Sequence, residues 1–231
     1  MYKTKNINYF EKIDIDHKAY WLGFLYADGY ILQGRKEQKN ESDALGISLA
    51  RNDIYLLEIL KEDLKSENPI KFYQNSRKSN YKDTWYGRLI IYSNKMTADL
   101  IDKGCLKNKT FKLKFPSDTQ VPKHLLHHFI RGYFDGDGSL YRQKNRCKYG
   151  ISFCGTKEML EGIRNFLGKE NVKLRQRWPE RNNNNYYLAL CGNKQIEKIM
   201  SILYKDATIF LKRKHEVFEL LQKENMSKDR V

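Results

Sequence analysis

Two aspartates in matching surroundings are the residues of this sequence best placed to do chemistry. Asp28 and Asp137 each follow an apolar stretch with helical spacing, and each directly precedes a glycine. The C-terminal end of a helix is partly negative, so a carboxylate there is disfavoured unless a positive group lies close by. A divalent cation between the two carboxylates would supply that charge, and hard oxygen ligands suit Mg²⁺. The alternative interpretation is a pair of ordinary Asp-Gly turns, which occur in many folds.

Paired carboxylates around a metal ion are suited to in-line attack on a phosphodiester. The glycine after each aspartate would allow two helix ends to approach closely, so that backbone carbonyls could join the coordination. The pattern therefore favours metal-dependent phosphodiester hydrolysis.

Both aspartates belong to an internal repeat with a period of about 100 residues. Four blocks recur in the same order: Trp21–Gly29 with Ile130–Gly138, Gly46–Ser48 with Gly150–Ser152, Asn94–Lys95 with Asn193–Lys194, and Leu106–Lys109 with Leu211–Lys214. Such a duplication predicts two equivalent units related by a pseudo-twofold axis. We expect a first unit at 1–115, a linker at 116–122 with a proline at each end, and a second unit at 123–231.

Each unit shows the same order of elements, which predicts an α+β fold with antiparallel sheets. The expected helices are Tyr20–Tyr26, 53–65 and 95–103 in the first unit, then 125–134, 157–167, 194–204 and 209–223 in the second. The expected strands are 30–36, 43–51, 69–76 and 84–92, then 139–147, 148–154, 171–178 and 185–191. Residues 181–185 are polar and are expected to form a hairpin loop.

Positive charge dominates the sequence and is concentrated on the predicted strands. Lys and Arg number 43 against 28 Asp and Glu, a net charge of +15 that favours a polyanionic partner. Basic residues recur at the two-residue period that places side chains on one face of a strand. In the first unit they are Arg35, Lys71, Arg77, Lys78, Lys82 and Arg88; in the second they are Arg142, Lys144, Arg146, Lys148, Lys173, Arg175 and Arg177.

A two-stranded ribbon with such a face fits the major groove of double-stranded DNA. The alternative is the solvated face of an exposed sheet, and a turn within 142–148 would break the alternation there. The four cysteines show no metal-binding spacing and indicate a reducing, intracellular compartment, the cytoplasm or an organelle matrix. A polar N-terminus and the absence of an apolar run near 18 residues argue against secretion and membrane insertion.

The repeated block resembles the motif of the LAGLIDADG homing endonucleases, and the resemblance extends over most of the chain. Its second copy, Arg131–Ser139 (RGYFDGDGS), is close to the usual form of that motif. The resemblance implies two αββαββα units packed through their motif helices, with saddle-shaped sheets that straddle DNA. It further implies that Asp28 and Asp137 are catalytic metal ligands, with the carbonyls of Ala27 and Gly136 nearby.

The resemblance also implies a divalent cofactor and a set of basic residues near the scissile phosphates. The cofactor would be Mg²⁺, with Mn²⁺ as a substitute and Ca²⁺ supporting binding without cleavage. Lys109 and Lys214 resemble the late lysine of the family, although ordinary surface lysines are an equal alternative. Arg51 resembles a peripheral active-site residue, and Lys157 is a weak counterpart in the second unit. The first motif copy departs from the pattern, because Tyr26 stands where the second has Asp135.

These features predict a monomeric enzyme that makes a staggered double-strand break in a long asymmetric target. The first alternative is a nucleic-acid-binding relative with reduced cleavage, such as an intron maturase or a regulator. An intein would need an N-terminal Cys or Ser and a C-terminal His-Asn, and the sequence has neither. A small basic scaffold protein would explain neither the repeat nor the paired acids.

Overall fold

The chain folds into two successive units with the same order of elements. The computed structural model describes residues 2–34, 42–75, 84–105, 112–143, 148–170, 180–182 and 185–228. The first unit contains α1 (Asp16–Ala27), β1 (Tyr30–Leu32), β2 (Ala44–Ala50), α2 (Tyr55–Leu64), β3 (Lys71–Asn75), β4 (Thr84–Tyr92) and α3 (Asn94–Asp102). The second contains α4 (Leu126–Asp137), β5 (Gly138–Gln143), β6 (Lys148–Gly155), α5 (Lys157–Lys169), β7 (Glu180–Asn182), β8 (Asn185–Cys191), α6 (Asn193–Leu203) and α7 (Lys212–Lys228).

Each unit has one four-stranded antiparallel sheet, with the strand orders β1-β2-β4-β3 and β5-β6-β8-β7. Counted from the motif aspartates, the registers match as well as the orders. Tyr30, two residues after Asp28, lies opposite Gly46, and Ser139, two residues after Asp137, lies opposite Ser152, so the predicted match of Gly46 with Gly150 was wrong by two residues. The predicted α+β class and the pairing of two equivalent αββαββα units are therefore confirmed.

Each sheet has an inner face that packs on helices and an outer face that does not. In β6, Tyr149, Ile151 and Phe153 are buried on the inner face, whereas the intervening residues belong to the outer face. In β2 the inner residues are Leu45, Ile47 and Leu49. This period-two burial is the pattern of a sheet with one covered side.

Helices α1 and α4 run through the centre of the molecule and are buried on almost every side. Eight consecutive residues of α1, from Ala19 to Tyr26, are buried, and most of α4 is buried too. A helix that is apolar all round belongs in the core of a protein. Helix α1 begins before the apolar stretch that predicted it, because its first turn carries polar residues such as Asp16, whereas α4 continues three residues beyond its predicted end, to Asp137.

Several predicted boundaries were wrong, and turns account for the differences. Helix α2 begins at Tyr55, because Arg51–Asp53 form a separate 3-10 turn. Strand β5 ends at Gln143 and β6 begins at Lys148, and residues 144–147 of the predicted strand 139–147 lie outside the described residues. Asn182 pairs with Asn185, which places both ends of the predicted 181–185 loop in strands. The predicted strand 171–178 lies outside the described residues; the next described strand is β7.

The last helix also starts later than predicted. Hydrophobic spacing suggested 209–223, but α7 begins at Lys212. Leu211 is excluded from the helix, and its N–H donates to the Asp135 carboxylate in the neighbouring helix α4 at 2.8 Å. A tertiary contact therefore sets this boundary. Thr156, in contrast, caps α5 as predicted, because its Oγ1 accepts from the Met159 N–H.

Candidate active site and nucleic-acid interface

Two glycines allow α1 and α4 to cross with their backbones in contact. A Cβ atom on Gly23 would lie 1.9 Å from the carbonyl oxygen of Phe129, and one on Gly132 would lie 1.9 Å from that of Tyr20. Each glycine thus faces the residue three positions before the other glycine. These reciprocal contacts are the ones expected for two helices related by a pseudo-twofold axis. The crossing brings the C-terminal ends of both helices close together.

Asp28 and Asp137 lie at those two helix ends. Asp137 is the last residue of α4, and Asp28 follows α1 with its N–H bonded to the Phe24 carbonyl at 2.9 Å. A Cβ on Gly136 would lie 2.3 Å from the Ala27 Cβ and 3.4 Å from Oδ2 of Asp28. The carboxylate of Asp28 therefore lies against the residue that precedes Asp137, as the motif predicts.

Lys214 lies behind this pair and caps the end of α4. Its Nζ donates three hydrogen bonds to backbone carbonyls, those of Phe134, Asp135 at 2.9 Å and Gly138 at 2.6 Å. Burial lowers the pKa of Lys214 to about 8, although Asp135, Asp28 and Asp137 oppose that shift. Their influence shows that both catalytic candidates lie within electrostatic range of the ammonium group.

This position corrects the expectation for Lys214. The sequence suggested either a lysine beside the scissile phosphate or an ordinary surface lysine, but Lys214 is only 3% exposed. An ammonium group has three N–H donors, and backbone carbonyls accept from all of them. Lys214 therefore stabilises the negative end of the α4 dipole, directly under Asp137.

The non-equivalent motif residues Asp135 and Tyr26 have different partners. Asp135 Oδ2 accepts from Tyr20 Oη at 2.9 Å and from the Leu211 N–H. Burial raises the pKa of Asp135. Tyr26 Oη donates instead to the Lys103 carbonyl, and its ring meets Phe129 edge-on at 5.0 Å. Both residues hold the ends of their helices by packing and hydrogen bonding.

The donors at the two helix ends suit a hard cation. Within the described ranges, no cluster of three or more His, Cys, Asp or Glu side chains could hold a metal ion. A metal here would therefore bind through the two carboxylates of Asp28 and Asp137, with backbone oxygens such as those of Ala27 and Gly136 close by. This all-oxygen set fits Mg²⁺ or Mn²⁺ and does not fit a soft metal.

Arg51 lies on the exposed 3-10 turn that follows β2. The sheet register places Asp28, two residues before Tyr30, beside the C-terminal part of that strand. In the second unit Ser139, two residues after Asp137, pairs with Ser152, so the register places Lys157 and not Gly155 at the position that corresponds to Arg51. Both units therefore carry a basic residue at this point.

The outer face of the first sheet carries a cation between aromatic rings. Arg88 lies opposite Lys71 and Ser48 in the register, so all three share this face. The Arg88 guanidinium carbon is 4.9 Å from the centre of the Tyr73 ring, and Tyr73 stacks on Tyr86 at 5.5 Å. Arg88 Nε also donates to Ser48 Oγ at 3.3 Å.

This face is shaped as well as charged. An open pocket of about 160 Å³ lies at its end, lined by Tyr2, Asn68, Pro69, Lys71, Tyr73, Arg88, Ile90 and Tyr92. Sequence reasoning found Lys71 and Arg88 but missed the tyrosines. The alternation of Tyr86, Arg88, Ile90 and Tyr92 along β4 would have indicated them, because it places all four on one face.

On the second sheet, the predicted common face of Arg142 and Lys148 was wrong. Gln143 pairs with Lys148 and Arg142 pairs with Tyr149, so the strands turn between the two basic residues. Arg142 shares the inner face with buried Tyr149, and its guanidinium pairs with Glu224 of α7 at 2.8 Å. Lys148 is exposed on the outer face.

The other basic candidates lie outside the described residues. They are Arg35, Arg77, Lys78, Lys82, Lys109, Lys144, Arg146, Lys173, Arg175 and Arg177. Their roles remain predictions from the sequence. Among the residues that the structure describes, no helix is long and apolar enough to cross a membrane.

Comparison with known proteins finds a family model that matches part of the chain and solved structures that share its fold. Residues 125–203, from the residue before α4 to the end of α6, match the LAGLIDADG-like domain. Meganuclease I-SmaMI bound to uncleaveable DNA has a similar fold, with 12% identity, 88% of both chains covered and a TM-score of 0.54. So does LAGLIDADG meganuclease I-AabMI bound to uncleaved DNA, with 13% identity, 91% of both chains and a TM-score of 0.54.

A third similar structure is the I-LtrWI LAGLIDADG homing endonuclease bound to target DNA. It shows 14% identity and a TM-score of 0.53, covering 97% of this chain and 93% of that chain. No curated protein matches the sequence significantly. At such identities the structural likeness shows a common fold over both units.

Proposed function

We propose that this chain, whose residues 125–203 match the LAGLIDADG-like domain, is a homing endonuclease. It would make a staggered double-strand break in a long, asymmetric DNA target by hydrolysing one phosphodiester bond in each strand. The observation that carries the proposal is the meeting of Asp28 and Asp137 at the ends of two helices that cross at Gly23 and Gly132.

The two aspartates would hold the divalent cation, Mg²⁺ or Mn²⁺, with the carbonyls of Ala27 and Gly136 nearby. Such an ion polarises a phosphoryl oxygen and makes a bound water a stronger nucleophile. The protein contributes rigidity, because the glycine crossing and the Lys214 cap fix the carboxylates before substrate arrives. Preorganised charge of this kind requires little reorganisation during the reaction.

Arg51, a basic residue among those that the structure describes, remains a candidate to contact a scissile phosphate. It is exposed on the turn after β2, and a guanidinium can bind two phosphate oxygens at once. Lys109 stays a prediction for the same role. We no longer assign that role to Lys214, because backbone carbonyls occupy its three N–H groups.

The outer faces of the two sheets would bind double-stranded DNA. Support comes from the exposed Lys71 and Lys148, from the half-buried Arg88 and from the net charge of +15. The similar structures of I-SmaMI, I-AabMI and I-LtrWI were determined with DNA. Since one chain supplies two units, a monomer would suffice, with the boundary between units at 116–122.

The central test separates binding from cleavage. A target is first selected from a randomised DNA library by binding in Ca²⁺, and cleavage of that target is then started with Mg²⁺ or Mn²⁺. Asp28→Asn and Asp137→Asn should each reduce double-strand cleavage at least about 100-fold, because a preorganised charge at the reacting phosphate is lost. Binding in Ca²⁺ should change by less than about threefold.

Asp14→Asn is the matched control, since Asp14 is exposed and pairs with Lys18 away from the helix crossing. It should cut at the wild-type rate. Full cutting by both active-site variants would disprove the role of the aspartates. Tight binding without any cutting by the wild-type protein would support a maturase-like or regulatory relative instead.

A further inference from the structure

A short stretch of the second unit connects the first unit to the end of α4. This junction segment, residues 209–214, contains the last residues before α7 and the first turn of that helix. On one side it contacts Tyr55, the first residue of α2 in the first unit. Tyr55 Oη accepts from the Lys212 N–H at 2.6 Å and donates to the Phe210 carbonyl at 3.1 Å.

These contacts make Tyr55 a cap for the start of α7. The first N–H groups of a helix have no partner within the helix, and the Lys212 N–H is one of them. The Lys212 ammonium also lies 4.4 Å above the Tyr55 ring, and Arg213 pairs with Asp53 at 3.3 Å. The first unit thus holds the N-terminus of α7 at several points.

On its other side, the junction segment holds the end of α4. The Leu211 N–H donates to the Asp135 carboxylate at 2.8 Å, and Lys214 caps the last carbonyls of α4. The acid from the C-terminal end of α4 therefore faces the positive end of α7, and the lysine from α7 faces the negative end of α4. Both arrangements are favourable to the helix dipoles.

We infer that Tyr55 is a positioning residue for Asp137, acting from the first unit through the junction segment; this inference rests on the proposed nuclease function. Tyr55 fixes the start of α7, the junction segment presents Leu211 and Lys214, and these two residues hold the last turn of α4, which ends at Asp137. The end of α1 is held differently, through Tyr26 and the Lys103 carbonyl. Loss of the Tyr55 hydroxyl should therefore disturb Asp137 more than Asp28.

The consequence is a bias between the two DNA strands. Tyr55→Phe keeps the ring and removes two hydrogen bonds, so it should slow the cleavage of one strand about five- to tenfold relative to the other. Nicked duplex should then accumulate during the reaction. The measurement uses the selected target with a different label on each strand, and the two cleavage rates are followed in one reaction.

Tyr204→Phe is the matched control. Tyr204 packs against Phe210 of the junction segment, and its buried hydroxyl has no hydrogen-bond partner among the described residues. This variant should keep the wild-type ratio of strand rates. Thermal unfolding of both variants, with cleavage assayed well below their midpoints, separates positioning from general instability.

An unchanged strand ratio in Tyr55→Phe would overturn the inference, and so would an equal slowing of both strands. A wild-type protein that binds the target but cuts neither strand would refute the nuclease proposal itself. The positioning inference would then fail as well, because it rests on that proposal. If the wild-type protein does cut both strands, a negative result with Tyr55→Phe overturns the positioning inference alone.

Discussion

Arg88 is the residue whose surroundings say most about how DNA sequence would be read. Two tyrosine rings and the Ser48 hydroxyl hold its guanidinium on the outer face of the first sheet. The Nε–H is occupied by Ser48, so the terminal N–H groups form the edge that can face a ligand. That edge matches the O6 and N7 acceptors of guanine in the major groove.

Arg88→Lys should therefore relax the preference for guanine at one base pair of the first half-site, because a lysine cannot form the two parallel hydrogen bonds. The discrimination lost should be about 1–3 kcal/mol. Lys71→Ala, on the neighbouring strand, provides the comparison. It should weaken binding to all sequences alike and reduce the salt slope by about one charge. Binding-site selection with each variant measures both effects, and an Arg88 variant with unchanged base preferences would contradict the assignment.

At the residue scale, the sequence predicted the aspartate pair but not the position of Lys214. Asp28 and Asp137 were predictable because the repeat gave each an equivalent partner and the glycines implied close approach. The repeat pairs Lys214 with Lys109, which lies outside the described residues, and the burial of Lys214 depends on how α7 meets α4. No pattern within residues 211–214 predicts how α7 packs on α4. The catalytic role suggested for Lys214 was therefore wrong because it ignored this tertiary contact.

At the scale of elements, the crossing of α1 and α4 should respond sharply to a single methyl group. Gly132→Ala would place a Cβ 1.9 Å from the carbonyl oxygen of Tyr20, which is backbone and cannot rotate away. Separation of the helices should cost about 3 kcal/mol or more. Urea unfolding measures the free-energy change.

Gly168→Ala is the control for this substitution. Gly168 also lies in a helix, α5, but a Cβ there would meet nothing within 4 Å. Because alanine has the higher helix propensity, this variant should be stabilised by about 0.5 kcal/mol. Equal stabilities of the two variants would show that the crossing is looser than these distances imply.

Most elements were predictable, because their hydrophobic periods are clear and occur twice. The strands at the sheet edges and the helix ends were less so. The basic run at 142–148 has the spacing of one strand, and only the pairing of Gln143 with Lys148 reveals two. Alternation of charge indicates a face only if the strand is continuous, which is why Arg142 was assigned to the wrong side.

At the scale of the whole molecule, two units in one chain predict a monomer on an asymmetric target. Strand β4 has nine residues and spans about 30 Å at about 3.3 Å per residue. DNA advances about 3.4 Å per base pair, so each unit should cover about nine pairs and the chain about 18. Sedimentation of the complex and nuclease footprinting test this. An obligate dimer, a strict palindrome or a footprint under about ten pairs would contradict it.

The contacts between the motif helices also show that the two units are no longer interchangeable. The Tyr20 hydroxyl donates a hydrogen bond to Asp135. The equivalent pair across the axis, Phe129 and Tyr26, forms an edge-to-face aromatic contact instead. A homodimer of the second unit would set Phe129 against Asp135 and deprive that buried carboxylate of the hydroxyl donor that Tyr20 supplies. A homodimer of the first would crowd Tyr20 against Tyr26. The contact surfaces of the two units are thus complementary to each other and not to themselves. If the units were expressed as two polypeptides, they should form a heterodimer in preference to either homodimer.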